Sequence, residues 1–484
     1  MIKSSRGESL LWGGLLLLAA ALRFFWLDNK PLHFDESING HFVGLMWEQG
    51  YYRYDPTNFH GPLLFYLFQV SELIWGQGVW AFRFVTSLFS LASVALLFFY
   101  RAELGRQGAF MAASALALSP AFVFFGRSGI HEAPFVFFQI WTTLSILRWL
   151  GHGGIRGAWG LALGLTGQLL LKETFALWFV SAVLAMGYLY REWNWLGIWR
   201  SVQKHLWLIG ACVLVWAALF SSLGQNPQGL LDFFRAYFPW LKTGLGDSGH
   251  EKEFTYWLEL LARWEPWLFV GFAGAWVGAM QKVPLLRFLG IHALLLFLIY
   301  SAIPYKTPWC LLSVAASFAL LFGFMAQSFW DMMKKKPRGL FVGFLFLSLA
   351  AFYQGYLHAY LNFTEEPPLE HPYVYVQSTI ELKDWMEAYQ EMTRISPELF
   401  LRPVLVALQD PWPFPWILRN QTNVRYVSVP SEFDSEVWFF LGESGCCSED
   451  LHSQSEFDLI LHLPIRDGRG EIEFWVRSGE WVQP

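Results

Sequence analysis

The residues best equipped for chemistry are His33-Phe34-Asp35-Glu36-Ser37, where two adjacent carboxylates separate an apolar stretch from an amphipathic one. Asp or Ser alone would suffice to cap a helix at 38–49 by accepting bonds from its first N–H groups. Capping has no use for the other acid. More ionisable residues follow along the chain: His60, Arg127, His131, Glu132, Lys172, Glu173, Tyr305 and Lys306. A carboxylate can take the proton of an attacking hydroxyl, and fixed cations can stabilise a departing phosphate. Each residue also has a plainer reading. Lys172-Glu173 reads as a local ion pair, Arg127 as a partner of Glu132, and Lys306, between Pro304 and Pro308, as the end of an apolar run. His131 beside Glu132 could ligate a metal, but no third ligand lies at a diagnostic spacing. No cofactor is therefore expected, and a divalent ion at a phosphate stays open. His292, inside an apolar run, reads as a core histidine.

The elements that must position these residues are membrane spans. The 484 residues are 55% hydrophobic and 15% charged, with 27 Trp, 18 Tyr and 46 Phe. A single soluble globule would carry about 25% charged residues, and aromatic rings concentrate at membrane–water interfaces. Stretches long enough to cross a bilayer fall at 9–27, 79–100, 108–126, 131–149, 157–171, 174–190, 205–222, 263–280, 285–303, 308–328 and 339–360, giving about 11 spans. With the N-terminus inside, every inner loop holds at least two basic residues, 15 of the 26 in residues 1–361, as the positive-inside pattern requires. The protein is thus expected in the cytoplasmic (inner) membrane, multi-pass, its C-terminal part extracytoplasmic. The first span resembles a signal peptide in its Lys3 and Arg6, but its apolarity continues to Leu27, so it reads as an uncleaved anchor. Asp35, Glu36, His60, Arg127, His131, Glu132, Lys172, Glu173, Tyr305 and Lys306 then fall at outer ends of spans, which points to a shared polar cavity.

Two domains follow. Residues 1–361, with a balance of +8, form the transmembrane domain, and 362–484, with a balance of −13, form a water-soluble α/β domain. The long outer loop 28–78 carries the stripe Ile38, Phe42, Leu45, Met46, which predicts a helix lying in the interface. A second apolar stretch, Leu63–Trp75, is short for a crossing. Strands are predicted at Val374–Val376, Val404–Leu408, Val424–Val429, Val437–Leu441, Leu459–Leu463 and Ile472–Val476, with a helix over Thr379–Met392. No Gly-rich phosphate fingerprint follows any strand, and the acidic half would repel nucleic acid. Trp412-Pro413-Phe414-Pro415-Trp416 could stack on glycan or pack onto the membrane. Cys212 and Cys310 lie in apolar runs and read as small hydrophobes; Cys446 and Cys447 are adjacent in the acidic half.

His33-Phe34-Asp35-Glu36 resembles the acidic first-loop motif of the GT-C superfamily, multispanning glycosyltransferases that use lipid-phosphate sugars. The likeness is to the protein O-mannosyltransferases and the aminoarabinose transferases of lipid A. His60-Gly61-Pro62-Leu63 resembles their His-Pro-Pro-Leu element, Arg83 their span-opening Arg, and Ser119-Pro120 with Arg127 and Glu132 their Ser-Pro…Arg…Leu-Asp element. Lys172 and Lys306 resemble their phosphate-facing lysines. Tyr305-Lys306-Thr307-Pro308-Trp309, Tyr375-Val376-Gln377 and the Trp412–Trp416 run are similar to motifs of flippase-activity-associated membrane proteins. Gly61 for Pro should loosen its turn, and Glu132 for Asp lengthens the reach.

The resemblance implies a polytopic α-helical membrane protein of GT-C type with a C-terminal soluble α/β domain. It also implies inverting transfer from a polyprenyl-phosphate-linked sugar to a protein, lipid or glycan acceptor at the outer face. Asp35 is the candidate base. Glu36 and Glu132 would orient acceptor or sugar, with Glu173, Tyr305 and Trp309 beside them. Lys172, Lys306, Arg127 and His60 would face the phosphate. A flippase for lipid-linked sugars, which should show repeated halves and broken spans, and a non-catalytic glycosylation partner are the competing functions.

Overall fold

The computed structural model describes residues 6–478, apart from 153, 247–248, 365–367, 429–436, 446–456 and 467–469. Cys446 and Cys447 lie outside the described residues. The chain forms two compact units: residues 1–27 with 51–364, and 28–50 with 365–484. The segment 28–50, read from sequence as part of the membrane domain's outer loop, therefore folds with the C-terminal residues.

The first unit is helical, and a helix occupies each of the apolar stretches predicted to cross. Five of these helices are long and apolar enough to span a bilayer: Arg6–Phe24, Val79–Phe99, Pro284–Ala302, Pro308–Met333 and Arg338–Asn362. Two further pairs, Arg106–Leu118 with Pro120–Arg127 and Trp195–Lys204 with Leu206–Phe220, qualify only together and bend by 61° at their joints. Small residues let the helices approach closely, as association within lipid demands. A Cβ on Gly323 would stand 2.3 Å from the Gly108 carbonyl oxygen, and one on Gly271 would stand 2.0 Å from that of Phe318.

The bend at Ser119-Pro120 shows how an apolar bundle accommodates a broken helix. Breaking the ladder frees carbonyls before the joint and N–H groups after it, and lipid offers neither a partner. Side chains from two other helices, from the cap of a third and from the joint itself supply them. Arg23 Nη2 donates to the Leu116 carbonyl (2.9 Å) and its Nη1 to that of Ala117 (3.1 Å). His358 Nε2 meets the Leu118 carbonyl at 3.0 Å. Beyond the joint, Ser119 Oγ accepts from Phe122 N (3.2 Å), and Glu265 Oε1 accepts from Ala121 N (2.7 Å). Ser90, on a fourth helix, holds Arg23 Nε at 2.8 Å. The cation meets a C-terminal helix end and the anion an N-terminal one, the signs that each end's partial charge favours.

Among the described residues, the second unit holds a five-stranded sheet of order β2-β1-β3-β5-β4, with β1 Val404–Ala407, β2 Val424–Val427, β3 Phe439–Glu443, β4 Phe457–Pro464 and β5 Glu471–Arg477. β1 runs parallel to β2 and β3, whereas β5 is antiparallel to β3 and β4. The amphipathic helix Ile380–Ile395 starts at Thr379, whose hydroxyl accepts from Leu382 N. Its Trp385 packs on Phe474, ring centroids 4.4 Å apart.

Three expectations change in this unit. Val374–Val376 is not a strand: Val376 has a φ of 52°, outside any extended conformation. That segment binds residues 32–34 instead, with Ser378 N to Leu32 O at 2.9 Å and Phe34 N to Val376 O at 3.2 Å. The Trp412–Trp416 run serves the unit's own packing through two of its three aromatic rings. Phe414 and Trp416 are buried, and a Cβ on Gly40 would sit 2.5 Å from the Trp416 ring, so these elements meet at bare glycine. The helix Phe34–Gln49 buries Glu36, Asn39, Val43 and Met46, a face offset from the predicted stripe.

Candidate active site

Within the second unit, the helix Phe34–Gln49 starts with a capping box, but His33 is the cap rather than Asp or Ser. Asp35 N donates to His33 Nδ1 at 3.1 Å, and Glu36 Oε2 accepts from His33 N at 2.9 Å. Such reciprocal bonding satisfies donors that the helix leaves free. Glu36 is fully buried in that task. Asp35 differs: it is half-buried, and no described residue bonds its carboxylate. Of the two adjacent acids, one closes the helix and the other presents a carboxylate that no described residue bonds.

Within the first unit, three separated stretches converge. The turn between the helices Ile155–Leu169 and Phe175–Tyr188 carries Lys172 and Glu173. The segment 59–63 lies against it through Gly61 N to Leu171 O and Leu63 N to Leu170 O, both 3.0 Å. A Cβ at Gly61 would come within 2.2 Å of the Leu170 carbonyl oxygen. Gly61 therefore tightens this junction, contrary to the loosening expected from its replacing Pro. The third stretch is the start of the helix Glu132–His152.

Lys172 and Glu173, adjacent in sequence, take different partners. The Lys172 ammonium forms a short ion pair with Glu132, both buried, and stands 3.9 Å from Cys310 Sγ. Burial disfavours its charge, but Cys310, Glu132 and Glu173 together outweigh this and hold the ammonium well above its ordinary pKa. Glu173 Oε2 meets His60 Nδ1 at 2.9 Å. The His60 ring lies 4.4 Å from that of His131, which also edges onto Phe65. Among the described residues no group of three or more His, Cys, Asp or Glu is arranged to hold a metal.

Two expected phosphate ligands are engaged elsewhere. Arg127 is fully buried, and its guanidinium donates to the carbonyls of Leu22 (3.1 Å), Arg23 (3.3 Å), Phe25 (2.7 Å) and Trp26 (2.6 Å). It caps the end of the first helix, where such a cation is favourable. Lys306 donates to the carbonyls of Lys252 (3.0 Å) and Ile303 (2.5 Å). Its ammonium holds a turn together, a fit for the span-ending reading. Tyr305 pairs with Glu251 and sets its ring edge against His250, and Trp309 is buried near Phe125. None of these residues joins the Lys172 cluster. Cys310 does, although its apolar neighbours hid it in the sequence; its place directly after the Tyr305–Trp309 motif was the available signal.

Residues 59–221 match the family described as dolichyl-phosphate-mannose-protein mannosyltransferase. A Pseudomonas fluorescens protein, undecaprenyl phosphate-alpha-4-amino-4-deoxy-L-arabinose arabinosyl transferase 2, is 25% identical over 280 residues, which are 54% of this chain and 48% of that protein. The chain thus spans about half the length of the curated relative it matches. The fold resembles that of ArnT from Cupriavidus metallidurans bound to undecaprenyl phosphate, with a TM-score of 0.68 and 15% identity over 99% of this chain and 100% of the other. It also resembles the Archaeoglobus fulgidus oligosaccharyltransferase, with a TM-score of 0.58 and 12% identity over 96% and 72% of the two chains. The chain therefore shares the fold of these two solved structures.

Proposed function

We propose that this multi-pass membrane protein transfers a glycosyl group from a polyprenyl-phosphate-linked sugar to an acceptor at the outer membrane face, with inversion at the anomeric carbon. The observation that carries the reading is the buried Lys172–Glu132 pair, backed by His60–Glu173 on the same turn. A buried ion pair is weak evidence for stability as such, but a desolvated ammonium is well suited to a phosphate that gains charge as it leaves. The donor phosphate would take Lys172 in exchange for Glu132, freeing that carboxylate to hold sugar or acceptor hydroxyls.

Asp35 is the proposed base. Inversion needs a proton acceptor on the face opposite the leaving group, and Asp35 is the acid of the first-loop motif that the helix cap does not consume. His60 stays a candidate for the phosphate, with Glu173 setting its tautomer. The N-terminus inside and the acidic unit outside complete the proposal, because the basic loops fit that orientation.

Transport is the second reading, and the bent helices favour it more than the sequence did. Transporters, however, leave broken-helix ends open to their cargo, whereas those at Ser119 are filled by Arg23, His358 and Glu265. The test uses purified full-length protein with a labelled polyprenyl-phosphate sugar. Asp35→Asn is expected to lower transfer by about 10²–10⁴-fold, the usual worth of a positioned base, while donor binding persists. Undiminished transfer would remove Asp35 from the role. Donor movement between leaflets without transfer in the wild type would replace the enzyme reading with transport.

A further inference from the structure

A cavity of about 390 Å³ lies within the helical unit, between the helices Ile155–Leu169 and Leu206–Phe220. Ala158, Leu165 and Leu169 line one wall, and Leu208, Val213 and Trp216 the other. The one hydroxyl on the first wall, that of Thr166, is turned back onto the Ala162 carbonyl at 2.8 Å. Such a lining offers a ligand contact but no hydrogen bonds, which suits a hydrocarbon chain. From Ala158 to Leu169 the wall runs about 16 Å at the helical rise, close to the roughly 15 Å depth of one hydrocarbon leaflet.

One end of the groove has a different chemistry. Ser201 and His205 line it there, and the helix Trp195–Lys204 meets the next helix at 61°. That helix exposes Trp195 and Trp199 on one side and Arg200 and Lys204 on the other. Aromatic and basic faces opposed in this way mark a helix lying in the headgroup layer. Arg156, two residues before Ala158, adds a third exposed cation. Among the described residues, none of Arg156, Arg200 and Lys204 has an ion-pair partner. The groove thus combines an acyl-length slot with three exposed cations that adjoin its lining residues in sequence, Arg200 beside Ser201, Lys204 beside His205 and Arg156 before Ala158.

We infer that this groove is a binding site for an anionic glycerophospholipid, its phosphate at Arg156, Arg200 and Lys204 and one acyl chain along Ala158–Leu169. Basic pockets between helices at a cytoplasmic face recognise such headgroups. The site is distinct from the Lys172 cluster and does not depend on the transfer reading. The opposite end of the groove, at Leu169 and Phe175, flanks the Lys172 turn, so a polyprenyl chain entering from that side is the alternative occupant.

The test is native mass spectrometry of the full-length protein in mild detergent, followed by titration of delipidated protein with dioleoylphosphatidylglycerol and dioleoylphosphatidylcholine. The wild type is expected to retain one phosphatidylglycerol and to bind it at least tenfold tighter than phosphatidylcholine. Arg200→Gln with Lys204→Gln should weaken phosphatidylglycerol roughly tenfold or more and leave phosphatidylcholine and the melting temperature unchanged. Ala162→Phe, which fills the slot, should abolish retention of both. Equal affinity for the two lipids, or unchanged binding in the double charge variant, would overturn the proposal even if Ala162→Phe does not fold. A retained polyprenyl phosphate that Ala162→Phe expels and the charge variant does not disturb would also overturn it, since its head would then lie at the other end.

Discussion

Removing either partner of the Lys172–Glu132 pair strands a charge where water cannot reach it, at a cost of about 3–5 kcal/mol. Lys172→Met and Glu132→Leu should each lower the melting temperature of the purified protein markedly. The two together should recover most of that loss, because a matched apolar pair leaves no charge behind. Donor binding should stay lost in the double variant; if it returns, Lys172 does not hold the phosphate. The pair also has a defined pH response. With its pKa raised above the unfolded value near 10.4, Lys172 contributes fully below that pH and loses its contribution as pH rises through the folded value. The difference in melting temperature between wild type and the double variant should therefore stay flat from pH 6 to 9. These roles were only partly legible in the sequence. Asp35 and Glu36 look alike as letters, and the bond from His33 N to Glu36 Oε2 separates them. Arg127 was visible as a cation on the outer side, but nothing in its neighbours announced four backbone carbonyls.

At the scale of elements, the junction between 59–63 and the Lys172 turn is held by backbone contact rather than by side chains. Gly61→Ala is expected to destabilise the protein and raise the donor KM together, because the new methyl meets the Leu170 carbonyl and displaces Lys172. A normal melting temperature with normal donor affinity would contradict that coupling. The helices themselves were legible, since long apolar runs have few other solutions. The broken one was not: residues 108–126 read as a continuous span, and Ser119-Pro120 resembled a family motif without revealing its mechanics. Ser119 is the cap and Pro120 the first helical residue, where a missing N–H costs nothing. Ser119→Ala should cost about 1 kcal/mol, read as a small drop in melting temperature with transfer retained.

For the whole molecule, topology is the property with the widest consequences. In right-side-out membrane vesicles carrying a cysteine-free variant, Lys282→Cys should resist an impermeant maleimide until the membrane is opened, and Asp458→Cys should react at once. The reverse pattern would invert the proposed orientation and put Asp35 on the wrong side for a donor presented outside. The charge split divides the chain after residue 361, whereas the compact units take 28–50 together with the C-terminal residues. Composition groups 28–50 with its sequence neighbours, whereas the bonds of residues 32–34 to 376 and 378 tie it to the C-terminal unit. Contacts across more than 300 residues leave no trace in local pattern.

The filled break at Ser119 has a further consequence for biosynthesis. Two of its partners lie far downstream: Glu265 is 144 residues from Ala121, and His358 is 240 residues from Leu118. While the ribosome is still making those helices, the newly inserted 106–127 segment holds bare peptide groups in or beside the bilayer. It must wait in the translocon, in a chaperone's keeping, or as a straight helix that bends only when its partners arrive. The final shape of the 106–127 segment is therefore an event late in synthesis, set by the last helix of the first unit to be made.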